Sequence, residues 1–197
     1  MSGTSNGTTT ISSLQAVLAH LWIAVCRARR LAPDHSTTHV ILVGCRGRMD
    51  GLPAAYAGNA VARAEAVSTA GEILERGLGL AASLLNIAIR SFNVATQRDR
   101  HASWPQEHYF LRARPTTTTK MVTGGSPRFD VYGNDFGWCR PVGVRSGRAN
   151  KMDGTATVFK GTSGGESMAL GVWLPPEVLA RLVADEEFMS TVSAGET

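Results

Sequence analysis

From Ser12 the chain runs Ser-Ser-Leu-Gln-Ala-Val-Leu-Ala-His-Leu-Trp-Ile-Ala-Val-Cys-Arg-Ala-Arg-Arg, and no other stretch restricts the fold as much. Leu14, Val17, Leu18, Leu21, Trp22 and Val25 recur at i, i+3, i+4, i+7, i+8 and i+11, which lays them along one face of an α-helix. Ser12 and Gln15 have the spacing of a capping box, and Arg27, Arg29 and Arg30 suit the negative end of the helix dipole. So apolar a stripe must be covered by a second layer. The run Thr38-His39-Val40-Ile41-Leu42-Val43-Gly44 supplies it, reading as an interior strand.

The same alternation continues. Residues 60–70 are rich in Ala and Val and read as a strand passing into Ser68-Thr69-Ala70-Gly71-Glu72, where a Thr-x-x-Glu box can start a helix. Leu80, Leu84, Leu85, Ala88 and Phe92 predict a second long helix from Leu78 to about Arg100, ended by charged residues before Pro105. Pro115-Thr116-Thr117-Thr118-Thr119 is a low-complexity loop before a short strand, Lys120 to Thr123. Alternation over Pro141 to Arg145 predicts another strand. Thr155 to Lys160 and Ser167 to Leu174 read as a strand pair joined by Gly161-Thr162-Ser163-Gly164-Gly165, and Pro175 to Asp185 as a closing helix with proline in its first turn. The pattern is an α/β domain with a mixed β-sheet flanked by helices. Residues 1–10 and 191–197 read as tails around a domain spanning 11–190.

Composition narrows the function. With 197 residues the chain can bury a proper core, on the order of 70% of its unfolded surface. A net charge of +4 comes with scattered arginines rather than the clustered basic face that nucleic acid needs. Cys26, Cys45 and Cys139 are far apart and odd in number, so they read as reduced thiols rather than a disulfide or metal framework. No run approaches a membrane span, and residues 1–10 lack the basic head and apolar centre of a leader; the expectation is a cytoplasmic protein without membrane contact.

The richest stretch for a site is Phe129-Asp130-Val131-Tyr132-Gly133-Asn134-Asp135-Phe136-Gly137-Trp138-Cys139-Arg140-Pro141-Val142. It sets an acid and large aromatics among turn formers, with Gly133 and Gly137 free to take positive φ and Asp135 in need of a cation or hydrogen-bond donors if buried. A rigid turn with a fixed ion pair or a capped backbone follows. A second candidate is the basic loop Arg145 to Gly154, whose Arg145, Arg148 and Lys151 could approach phosphates, against the plainer reading of a solvated hairpin loop. His20 borders the apolar face of the first helix and reads as a boundary histidine rather than a general base.

Asp135-Phe136-Gly137-Trp138-Cys139 resembles the Asp-Phe-Gly-Trp-Gly signature of the plant BAHD acyltransferases, with Cys139 where the family has Gly. The segment Arg46-Gly47-Arg48, Leu52-Pro53, Tyr56-Ala57-Gly58-Asn59 is similar to the family's Arg-x-Arg…Leu-Pro…Tyr-Phe-Gly-Asn, and Asn150-Lys151-Met152-Asp153-Gly154 resembles a loop of one plant branch. A protein-kinase reading of Asp135-Phe136-Gly137 lacks the Gly-rich and His-Arg-Asp loops. The resemblance covers about Ser12 to Met189 and matches only the C-terminal half of a BAHD enzyme, one chloramphenicol-acetyltransferase-like domain of two. It implies a structural ion pair of Asp135 with Arg46 first and Arg48 second, such that losing one partner would strand a buried charge at about 3 to 5 kcal/mol.

The family's catalytic motif is His-x-x-x-Asp, and none of His20, His35, His39, His101 and His108 has Asp four residues on. The resemblance therefore implies acyl transfer from acyl-CoA, a co-substrate rather than a tightly bound cofactor, to a hydroxyl or amine of a plant specialised metabolite, in a form truncated before the catalytic half and inactive alone. No catalytic residue and no metal ligand is assigned to this chain. Its partners would be acyl-CoA, a small acceptor and a His-containing N-terminal half. Two other readings stand beside it: a non-catalytic partner or decoy of intact relatives, and a phosphate-binding module built on the Arg145 to Lys151 loop. Cys139 as a nucleophile lacks a neighbouring His to activate it.

Overall fold

The computed structural model describes residues 10–106, 119–147, 151–162 and 167–192. Helix α1, Ser13–Arg29, opens with the expected capping box: the Gln15 amide donates to the Ser12 hydroxyl and the Ser12 amide to the Gln15 side chain. It closes on Arg30 in the left-handed region, whose amide reaches back to the carbonyls of Cys26 and Arg27. Strand β1, Ser36–Gly44, pairs antiparallel with β2, Val61–Thr69. Thr69 then caps α2, Ala70–Arg90, through a second complete capping box with Glu72.

Two boundaries differ from the sequence reading. The long helix ends at Arg90 and resumes as α3, Val94–Ser103, because the Asn93 side chain accepts the Ala95 amide and starts a new helix after a break at 91–93. Pro141 to Arg145 is not a strand. Strands β3 (Lys120–Gly125), β4 (Thr155–Lys160) and β5 (Met168–Trp173) complete a sheet of order β2-β1-β3-β4-β5, parallel at β1/β3 and β3/β4 and antiparallel at its two ends. Both flanks of β4 are thus taken, and Pro141 brings no amide to a ladder. Helix α4, Pro176–Val183, and the short α5, Glu186–Met189, finish the chain.

The pleat sorts the side chains. Thr37, His39, Ile41 and Val43 of β1, Ala62, Ala64 and Ala66 of β2, Met121 and Thr123 of β3, and Ala156 and Val158 of β4 are all buried, and those among them that are paired in register share one face. Leu18, Leu21, Trp22 and Val25 of α1 pack there, with Ile73, Ala81 and Leu85 of α2. The three alanines of β2 let α2 approach closely, and each large side chain so buried contributes about 1.5 to 3 kcal/mol. The opposite face is different: Leu42, Val61 and Val67 lie on it by register and stay 39%, 48% and 55% exposed. Among the described residues no helix is long and apolar enough to cross a membrane.

Candidate functional site

The signature segment leaves the sheet at Gly125, whose φ of +85° turns the chain out of β3. Ser126 holds the turn by accepting the Arg128 amide, a 3-10 turn follows at Val131–Gly133, and the Asn134 side chain donates to the Val131 carbonyl. Asp135 accepts the Gly137 amide at 2.8 Å, a closed Asx turn that the positive φ of Gly137 (+93°) makes possible. Cys139 repeats that geometry with φ of +79°, a conformation that a side chain resists and glycine does not. That is a physical reason for a glycine at the fifth position of such a signature.

The segment's local order is matched by little packing. Phe129, Phe136, Trp138 and Val142 are 64%, 84%, 87% and 97% exposed. Asp130 reaches Lys160 of β4 at 3.2 Å, an exposed pair that contributes little.

The expected ion pair is corrected here. Arg46 spends its guanidinium on its own loop, Nε donating to the Tyr56 carbonyl at 2.7 Å and Nη2 to the Gly58 carbonyl at 2.6 Å. Arg48 donates to the Gly44 carbonyl. Asp135 is exposed and closes its own turn, so in this chain neither arginine holds it and no buried charge is at stake. A fork that fits two carbonyls ten and twelve residues away braces the Arg46 to Asn59 loop instead. Of the basic loop, Arg145 is exposed, Arg148 falls outside the described residues, and the Lys151 ammonium sits over the Trp173 ring at 4.3 Å.

The best-anchored charge was not foreseen. Arg29, its side chain only 3% exposed, donates to Asp153 at 2.5 Å and to the Lys120 carbonyl at 3.2 Å. It thereby ties the end of α1 to β3 and to the turn before β4. Gly154, with φ of +78°, sits where a Cβ would meet the Lys120 carbonyl. The signal lay in the Asn-Lys-Met-Asp-Gly run, but nothing in the sequence paired that Asp with the Arg cluster of α1. Arg27 is likewise fixed, on Asp185 at 2.8 Å; that hydrogen bond holds the Asp185 carboxyl below its ordinary range.

Two of the described histidines, His20 and His39, sit in packing positions. His20 stacks on Phe188 with centroids 5.3 Å apart and meets the Thr191 hydroxyl, as a boundary residue does. His39 is fully buried against Trp22, its Nε2 2.8 Å from the Thr123 hydroxyl and its Nδ1 without a partner, and burial lowers its pKa to about 3. It is neutral at any ordinary pH. Cys26 and Cys45 are buried free thiols and Cys139 an exposed one. No group of side chains suited to a metal occurs among the described residues.

Comparison with known proteins gives one consistent result. The family model described as Transferase family matches residues 1–189. An uncharacterised acetyltransferase of Arabidopsis thaliana is 32% identical over 91% of this chain, and the BAHD acyltransferase DCR of the same plant 30% identical over 94%. This chain spans only 41% and 38% of those relatives. Among solved structures, F. sporotrichioides TRI101, described as complexed with coenzyme A and T-2, superposes with a TM-score of 0.77 at 24% identity, over 94% of this chain and 45% of its own. Vinorine synthase does so at 0.67 and 19%, over 94% and 43%. These likenesses establish the chloramphenicol-acetyltransferase-like fold of one domain. With the fold, the signature and the family match in agreement, the chain belongs to the Transferase family of BAHD acyltransferases, of which it represents the C-terminal half.

Proposed function

We propose that this chain is the signature-bearing half of an acyl-CoA-dependent acyltransferase, and that it acts only with a half carrying the His-x-x-x-Asp base, on the same polypeptide or a separate one. The observation that carries the reading is the exposure of Phe136 (84%), Trp138 (87%) and Val142 (97%) in the signature segment, in a molecule whose sheet also leaves Leu42, Val61 and Val67 exposed. Apolar side chains in such a cluster mark a surface made to be covered. This chain covers only 41% and 38% of the two relatives, so a covering half is at hand in each of them.

In the assembled enzyme the base would take the proton of an acceptor hydroxyl or amine as its oxygen or nitrogen attacks the thioester carbon, and the coenzyme A thiol would leave. General-base assistance of this kind is worth about 10²- to 10⁴-fold, which this chain by itself cannot supply. Arg145 and Lys151 would lie toward the phosphates of coenzyme A, as point charges rather than a closed pocket.

The test is assembly. Phe136→Ser and Trp138→Ser leave the helix-covered core untouched, so the isolated variants should unfold at the same denaturant midpoint as the parent chain. Their association with a separately produced His-bearing half from a relative should weaken at least tenfold each, as for centrally buried aromatics of an interface. Association of undiminished strength would refute the reading.

A further inference from the structure

Strand β2, Val61–Thr69, is an edge of the sheet and is bonded to β1 on one side only. The acyltransferase reading leaves this edge unused. Its free side can be assigned residue by residue. Just beyond the strand ends the Cys45 amide donates to the Ala60 carbonyl and the Ala70 amide to the His35 carbonyl, both in step with the Gly44–Val61 and Ser36–Thr69 register. Antiparallel pairs alternate between bonded and non-bonded. Ala62, Ala64, Ala66 and Ser68 therefore turn their amides and carbonyls to β1, while Val61, Arg63, Glu65 and Val67 turn theirs outward. Among the described residues no loop or further strand bonds to those outward groups. We propose that this edge pairs with the same edge of a second copy of this chain, antiparallel about a two-fold axis through Ala64.

The sequence of the strand selects that partner. Val61-Ala62-Arg63-Ala64-Glu65-Ala66-Val67 is symmetric about Ala64 in its apolar residues and of opposite sign in its charges. In the proposed register Val61 lies opposite Val67 of the partner subunit and Arg63 opposite Glu65 of the partner subunit, and each of these pairs has its amides and carbonyls facing the gap. The four side chains share the sheet face opposite α1 and α2, where Val61 and Val67 are exposed and Arg63 lies 2.7 Å from Glu65 along the strand. Two copies thus close a ring of four alternating charges between two valine contacts.

Charge also fixes the register. Outward-facing residues meet as well if the axis moves to Arg63 or to Glu65, but the first sets two arginines against each other and the second two glutamates. Like charges directly opposite are destabilising. A long unpaired edge is a template for strand addition, and a two-fold contact closes after one partner instead of growing.

The experiment is sedimentation equilibrium of the full chain over a wide concentration range, where a reversible monomer–dimer equilibrium is expected. Arg63→Glu and Glu65→Arg each set like charges across the gap, so each alone should weaken the dimer about tenfold or more. An equal mixture of the two variants restores Arg against Glu and should associate as the parent does. Both substitutions lie on the exposed face, and unchanged far-UV circular dichroism checks that each variant is folded. Trp138→Ser, in the signature segment, should leave the dimer intact, which separates failure of this proposal from failure of the acyltransferase reading. A monomer at every concentration, a dimer indifferent to either charge change or lost on Trp138→Ser, or a mixture that fails to associate would overturn the proposal. So would β2 amides that become protected from hydrogen exchange only when a His-bearing half is added, since that half would then be the strand's partner.

Discussion

Inside the helix-covered face, polar side chains are kept only where each has a partner, and the exceptions set the energetics. The Trp22 indole donates to the Thr37 hydroxyl, and that hydroxyl donates in turn to the Thr119 carbonyl, both at 2.9 Å. Thr37→Val would strand a buried indole N–H, costing about 1 to 3 kcal/mol, readable as a lowered denaturant midpoint with unchanged slope. His39 makes the interior sensitive to acid. Its folded pKa of about 3 lies below the unfolded value of 6.5, so from pH 6.5 down to about 3 the unfolded chain binds a proton that the folded one refuses. Stability is then lost as pH falls, at up to about 1.4 kcal/mol per unit. Chemical denaturation at pH 7, 6 and 5 should show this loss, and His39→Gln should flatten it. Asp153→Ala, which leaves the Arg29 guanidinium buried without its carboxylate, should cost about 3 to 5 kcal/mol.

At the scale of elements, backbone conformation decides the outcome. Arg30 closes α1 with φ of +52°, where an L side chain costs about 1 kcal/mol or more. Arg30→Gly should raise the thermal midpoint. Within α2, Gly77 takes φ of +62° and ψ of −150°, a region that is nearly Gly-only; Gly77→Ala should cost about 1 to 3 kcal/mol, measured by the same melt. These two positions also show what the sequence could and could not reveal. Both capping boxes, the apolar stripe of α1 and the strands around Val40 and Val158 were legible because local pattern and global packing agree there. The split at Gly77 was half visible, since a box at Thr69 and an apolar stripe from Leu78 imply two helical pieces. The break at Ser91 to Asn93 hid because one cap side chain, Asn93, overrode an unbroken stripe. The pairs Arg29–Asp153 and Arg27–Asp185 join residues more than a hundred positions apart, and charge patterns do not encode such distances.

For the molecule as a whole, the unequal treatment of its two sheet faces is the main fact. One is sealed by helices. On the other, Leu42, Val61 and Val67 are exposed although Val40 is buried, and the segment from Ser126 to Gly147 separately carries Phe129, Phe136, Trp138 and Val142 in water. The family resemblance located the signature correctly, yet misassigned the work of Arg46 and Asp135, because each satisfies itself within its own loop in this chain. The segment is held by its own turns rather than by a salt bridge to Arg46, and under the proposed function a second surface would cover it. Covered by that surface, its apolar side chains would contribute about 25 cal/mol for each Å² removed from water.

The most direct measurement is thiol release from an acyl-CoA in the presence of an acceptor alcohol, for this chain alone, for this chain with the His-bearing half of a relative, and for the same pair with that histidine changed to alanine. Turnover confined to the intact pair, lower by about 10² or more in the other two, is the predicted result. Steady turnover by the chain alone, or by the pair without its histidine, would contradict it.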